Sequence, residues 1–283
     1  MRAIRSRIKS IQSTGQLTKS MKTVSVSKLR RTQNAMQALR PFSDACRDML
    51  CAVSAECASD NDFLRPRENT GRVCYVLFVG NRGLCGVYNT QLLHYAHKLA
   101  EDNGEKSFFV VCGRWGREAI ASTGVPVRET FDALSDTPDS KDAEVLTEYL
   151  KKLYLDGEAD RIELVYEGYK NILIQEPKTT VLLPVSSPED NGAYTDYIFE
   201  PDRASLVNSL TELYIANTVF SAMLEARTGE HASRMTAMSA ASDNTDELVE
   251  KLSLELNRAR QAAITTELTE VAGGAAAMDD FRR

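Results

Sequence analysis

Several things are scarce in this sequence, and each scarcity closes off a class of protein. It holds no run of about 18 apolar residues, so nothing in it reads as a bilayer-spanning helix. Its six cysteines, at positions 46, 51, 57, 74, 85 and 112, include no CxxC pair and lie in apolar surroundings. That excludes a disulfide framework and reads as a reduced chain with small buried thiols. There are three histidines, and no paired-carboxylate, triad or zinc signature stands out. No acid occurs before Asp44, although residues 1–40 carry ten Lys and Arg. The rest of the chain has 24 Lys and Arg against 40 Asp and Glu, so the net charge of −6 hides a basic arm on an acidic body. Such an arm points to an acidic partner.

Nucleic acid is a weak candidate for that partner, because no aromatic residue able to stack on a base precedes Phe42. A membrane surface would call for large aromatic anchors on one face, and the arm has none. An Arg- and Ser-rich, acid-free start also resembles a mitochondrial transit peptide, but the helical pattern runs past residue 40 without a processing break. An acidic protein surface remains, and composition alone does not choose it.

Glycine and proline are sparse at both ends, and that defines the architecture. Only Gly15 interrupts residues 1–40, where Ile4, Ile8, Ile11, Leu17, Met21, Val24, Leu29, Met36 and Leu39 recur in steps dominated by three and four. This is one apolar stripe along a long helix, expected to pass Pro41 and continue to about residue 58. A second stripe runs from Leu206, Leu210 and Leu213 through Val219, Met223 and Met238 to Leu252, Leu256 and Ala263. Pro201-Asp202 is its expected start and Gly273-Gly274 its expected stop. About 70 residues at 1.5 Å each make a rod on the order of 100 Å long, deeper than any compact core. The two stripes are each other's natural partners in an antiparallel coiled coil; two separate amphipathic helices on a globular body is the alternative.

Between them the period changes. Val73 to Val79 is a continuous apolar run, which reads as a strand buried on both faces. A helix around Leu92–Leu99 follows, then a strand at 108–112, a short helix at 114–122 and another helix at 142–155. Strands at 161–166 and 179–183 complete the region. Alternation of strand and helix predicts a mostly parallel sheet with helices on its faces. The chain therefore divides into an N-terminal coiled-coil helix (1–58), a Rossmann-like α/β domain (70–200) and a C-terminal coiled-coil helix (203–283).

The loop Gly80-Asn81-Arg82-Gly83-Leu84-Cys85-Gly86 sits where phosphate-binding loops are found, yet it matches neither the P-loop nor the dinucleotide pattern. Cys85, near a helix start, has the position of an activated thiol, with His94 and His97 following. No orienting acid accompanies them, so a packed structural cysteine is the better reading. His231 lies in a polar stretch and reads as a solvated side chain.

Four passages carry a resemblance over essentially the whole chain. They are Ile4-Arg5-Ser6-Arg7-Ile8 with Thr18-Lys19-Ser20-Met21; Arg82-Gly83-Leu84-Cys85-Gly86; Phe199-Glu200-Pro201-Asp202; and the tail from Ala259 to Glu270. Arg234-Met235-Thr236-Ala237-Met238 with Ala241-Ser242-Asp243-Asn244 is similar as well. In that order and context, the chain resembles the γ subunits of F-type ATP synthases. One departure is visible: the family usually places Asp before the Arg of the glycine-rich loop, where this chain has Asn81.

The resemblance implies a rotor with no catalytic, cofactor-binding or metal-binding residue of its own. Its implied partners are the α and β subunits of a catalytic ring, an ε subunit and the c-subunit ring of the membrane sector, with nucleic acid excluded. By the same resemblance, Arg82 and Cys85 lie near an acidic segment of β, Tyr197, Phe199 and Glu200 meet the membrane ring, and Arg260, Gln261, Thr265 and Glu267 meet a loop of β. It also implies a peripheral place on the cytoplasmic side of a bacterial cell membrane, or on the matrix side of the mitochondrial inner membrane.

Overall fold

The computed structural model describes residues 1–54, 61–65, 71–121, 124–132, 135–185 and 202–280. Its elements follow in the order α1 (Arg2–Ser54), β1 (Val73–Phe78), α2 (Tyr88–Asn103), β2 (Ser107–Cys112), α3 (Arg114–Ala121), β3 (Val127–Phe131), α4 (Ser140–Leu155), β4 (Arg161–Tyr169), β5 (Gln175–Leu183) and α5 (Arg203–Asp280). The strands form one sheet in the order β3-β2-β1-β4-β5. The first four are parallel, and β5 returns antiparallel to β4. The mostly parallel α/β architecture with long terminal helices is the one that periodicity implied.

The unbroken apolar run of β1 follows from its central place. Successive side chains of a strand point to opposite faces, and here each face is covered. Val73, Tyr75 and Leu77 pack with Tyr88, Leu92 and Ala96 of α2 and Ile120 of α3. Cys74, Val76 and Phe78 pack on the other side with Leu146 and Leu150 of α4, Leu50 of α1, and Ile215, Val219 and Met223 of α5. Two-sided burial leaves no position on β1 for a polar side chain.

The chain divides into two compact units. One comprises Val24–Thr236 and contains the sheet. Within it α1 meets α5 where Asn217 Nδ2 donates to Ser43 Oγ at 2.8 Å. The other comprises Met1–Thr23 with Ala237–Arg283. There the helices pair antiparallel: Gly15 approaches Thr245, while Lys22 Nζ donates to Ser239 Oγ at 2.9 Å. Lys19 adds an ion pair with Asp246 at 3.0 Å.

Several boundaries differ from expectation for physical reasons. The helix α5 does not stop at Gly273-Gly274 but runs to Asp280. Each glycine costs a helix only about 1 kcal/mol, and Ala275, Ala276 and Ala277 follow as the strongest helix formers. Its start is as read, with the Asp202 carboxylate accepting the Ser205 N–H at 2.8 Å as a cap. Helix α1 passes through Pro41, losing the backbone bond to Gln37. The strand β3 leaves no strand signal in the sequence because Val-Arg-Glu-Thr-Phe is short, half polar and on the sheet edge. The strands β4 and β5 extend beyond their apolar cores because ladder pairing carries Glu167, Gly168 and Tyr169 against Pro177, Glu176 and Gln175. Pro177 is tolerated since β5 is an edge strand among the described residues.

Candidate interface at the switch point of the sheet

The chain leaves β1 to one side for β2 and β3, and returns on the other side as β4. In open parallel sheets such a reversal opens a crevice at the carboxyl ends of the strands, where ligands usually bind. The glycine-rich loop lies at this point. Here the crevice is filled from within by α5.

The filling is polar and regular. Arg227, Glu230, His231 and Arg234 recur at helical spacing on one face of α5. Arg227 Nη1 donates to the carbonyl of Val79 at 3.3 Å and to Glu230 Oε2 at 2.6 Å. Arg234 Nη2 donates to Glu230 Oε1 at 2.7 Å and to the carbonyl of Arg82 at 3.2 Å. Ser233 Oγ donates to the carbonyl of Cys85 at 2.7 Å. Glu230 is 2% exposed and lies between two guanidinium groups. Burial works against its charge, but the two arginines outweigh that and hold the carboxyl below its ordinary range. Gly80 is needed where the loop starts, because a Cβ there would meet Glu230 Oε1 at 3.0 Å and Asn89 Oδ1 at 3.1 Å.

The loop side chains divide sharply. Cys85 is 2% exposed, with Asn89 Nδ2 donating to its Sγ at 3.3 Å. Burial raises its thiol pKa, the opposite of what activates a nucleophile. The thiol is therefore a packing group beneath the loop. Arg82 is exposed, while its carbonyl is held by Arg234. Leu84 has a φ of 62°, unusual for a residue with a Cβ, and its side chain is exposed, as is that of Val87. The backbone is tied down from below and its side chains are turned out.

Asn81 is explained by its neighbour. Its Nδ2 donates to Asp136 Oδ1 at 3.4 Å, and Asp136 also pairs with Lys28 of α1. Burial raises the Asp136 pKa, but bonding and charge from Lys28, helped by Asn81, bring it down to about 2. An Asp at position 81 would set a second carboxylate against this one; the amide donates instead.

His231 is not solvated as the sequence implied. It is 1% exposed, and Nε2 donates to the carbonyl of Asp136 at 2.9 Å. Burial depresses its pKa and keeps the ring neutral. The polar stretch that read as surface is the face of α5 that closes the crevice, and its i, i+3, i+4, i+7 spacing was the signal. His97 faces Glu101 on its own helix at 3.4 Å.

Elsewhere, Arg260, Gln261, Thr265 and Glu267 all lie exposed on α5 in the unit formed by the chain ends, and Thr265 Oγ1 donates to the carbonyl of Gln261 at 2.9 Å. Tyr197, Phe199 and Glu200 lie outside the described residues.

A family model described as ATP synthase matches residues 1–278. The ATP synthase gamma chain of Desulforamulus reducens is 39% identical over 280 residues, covering 98% of this chain and 99% of that one. The ATP synthase gamma chain of Halothermothrix orenii is 38% identical over 285 residues, with 98% and 99% covered. Among solved structures, a chain of the Euglena gracilis mitochondrial ATP synthase (OSCP/F1/c-ring, rotational state 3) superposes with a TM-score of 0.73 at 22% identity, covering 100% of this chain and 95% of that one. A chain of the rotor of the same enzyme in rotational state 1 gives a TM-score of 0.67 at 20% identity, with 93% and 98% covered. At these identities the structural likeness carries the fold.

Proposed function

This chain belongs to the ATP synthase gamma-chain family, and from that membership we propose that it is the central stalk through which rotation couples transmembrane proton flow to ATP synthesis. The chemistry belongs to the β subunits, and this chain is the non-catalytic part that turns among them. The observation that carries the reading is the full-length match at 39% identity. The structure supports it: α5 fills the crevice where an α/β protein would hold a ligand, leaving the glycine-rich loop as a braced outer surface.

On this reading the loop, with Arg82 outward and Cys85 supporting it from beneath, faces an acidic segment of β. The exposed Arg260, Gln261, Thr265 and Glu267 meet a second loop of β. Tyr197, Phe199 and Glu200 meet the c-subunit ring, and an ε subunit completes the stalk. The basic residues of α1 match acidic partners, although single exposed pairs contribute only about 0–1 kcal/mol. An asymmetric stalk bringing different faces to each β subunit in turn changes nucleotide affinity at a distance. That coupling is reciprocal, so hydrolysis drives the stalk backward. The chain works within a membrane-associated complex, on the cytoplasmic face of a bacterial cell membrane given the bacterial relatives.

The test is isolation of the native complex through a tag on this chain. Stoichiometric recovery of α and β ATPase subunits is expected; recovery of the chain free of both would overturn the reading.

A further inference from the structure

The turn joining β4 to β5 is ordered by its own polar groups. Asn171 Oδ1 accepts the N–H of Leu173 at 2.8 Å and of Ile174 at 2.9 Å. Gln175 Nε2 donates to the carbonyls of Asn171 at 2.9 Å and Ile172 at 2.8 Å. At its base the Tyr169 N–H donates to Glu225 of α5 at 2.9 Å, and its hydroxyl accepts from Gln33 of α1. Lys170 pairs with Glu176 at 2.6 Å, so the local charges cancel.

This frame holds three consecutive aliphatic side chains outward. Ile172, Leu173 and Ile174 are 40%, 81% and 45% exposed. Scattered exposed aliphatics are ordinary on a protein surface, but a contiguous apolar group marks a contact site. Because the turn is already ordered, little conformational entropy remains to be lost when it docks.

Topology gives the knob its direction within the sheet-containing unit. β4 is parallel to β1 and directly beside it, so the turn after β4 and the glycine-rich loop after β1 leave the sheet at the same end, the carboxyl end of the parallel strands. Leu84 and Val87, in the connection from β1 to α2, are exposed too. β5 runs back, so the chain that continues past Leu183 departs from the opposite end of the strands. The knob therefore shares the side of the glycine-rich loop and not the side from which the chain proceeds toward Tyr197.

We propose that Ile172, Leu173 and Ile174 form a docking knob that seats in an apolar depression on the β subunit facing the glycine-rich loop. The knob adds a hydrocarbon contact beside the charged one made through Arg82. This inference rests on the reading of the chain as the central stalk.

A photo-crosslinking benzophenone side chain, placed at position 173 and in a separate chain at position 84, tests it in the assembled complex. Adducts with β from both positions are expected. An adduct with β from position 84 alone overturns the knob and leaves the stalk reading standing, as does an adduct from position 173 with ε or the c-subunit ring. Failure of the unmodified chain to isolate with α and β removes the stalk reading and the knob together. In a second measurement, Leu173→Asp and wild-type chains compete for incorporation into the ring. The substitution is on an exposed tip and leaves the fold intact, so a disadvantage of about tenfold is expected from loss of one apolar anchor. Equal incorporation overturns the proposal.

Discussion

At the scale of single residues, two buried carboxylates act in opposite ways. Glu230 is charged, sits between Arg227 and Arg234, and through them ties the backbone of Val79 and Arg82 to α5. Removing one partner from a buried ion pair costs about 3–5 kcal/mol, because the remaining charges are left uncompensated. Glu230→Gln is therefore expected to lower the thermal midpoint far more than Glu176→Gln, which breaks an exposed pair of about 0–1 kcal/mol. Similar losses for both would show that the buried triad does not hold the loop. Glu167 is buried, its Oε1 has no hydrogen-bond partner among the described residues, and desolvation pushes its pKa up to about 7. An unfolded glutamic acid ionises near about 4.3. The stability of the buried neutral acid is full below that pH, declines as pH rises, and is lost by about pH 7. Over this window one proton contributes a slope of at most about 1.4 kcal/mol per pH unit. Urea midpoints of Glu167→Gln at pH 5 and pH 7 should lie closer together than those of the wild type.

At the scale of elements, the pairing of α1 with α5 depends on a close approach. A Cβ on Gly15 would lie 2.8 Å from Thr245 Oγ1. Valine there is expected to destabilise the full chain by about 1–3 kcal/mol through overpacking. Thr245→Ala in the same chain should recover part of the loss, and denaturant unfolding of the single and double variants measures it. No recovery would mean that the two helices do not approach at this point. What was legible in the sequence follows the same logic. The central strand could be read because burial on both faces left Val73 to Val79 wholly apolar, and the terminal helices because their stripes are long. The edge strand β3 could not, since one side of an edge strand needs no apolar code. His231 reads as solvated in the sequence because a buried polar face has the same composition as an exposed one, and only its partner, the carbonyl of Asp136, distinguishes them. The place of the glycine-rich loop between a strand and a helix is legible in the sequence, but the reason for it, a crevice closed by residues about 150 positions away such as Arg227 on Val79, depends on contacts no local pattern records.

At the scale of the whole molecule, the exposed face near the end of α5 is where mechanical work should show. An Arg held against an acidic or carbonyl acceptor contributes about 1.5–3 kcal/mol when partly desolvated. If Arg260 and Gln261 form such a contact with β as a catalytic site closes, its loss slows turnover roughly tenfold to a hundredfold. Arg260→Leu with Gln261→Leu should therefore cut steady-state ATP hydrolysis by that factor in a complex that assembles normally. Both side chains are exposed within the chain, so its own fold should survive the change. Turnover at the wild-type rate would reduce this stretch to helix surface.

The chain order of the two units has a consequence for biosynthesis. One unit joins Met1–Thr23 to Ala237–Arg283, so its first helix leaves the ribosome long before the partner it packs against exists. The sheet, likewise, is complete in sequence at Leu183, yet its crevice stays open until Arg227, Glu230 and Arg234 have been made. Contacts this distant in sequence form late and slowly. A nascent or prematurely terminated chain thus displays a basic amphipathic arm and an unfilled sheet mouth together, a combination by which chaperones and proteases can distinguish an unfinished copy from a complete one.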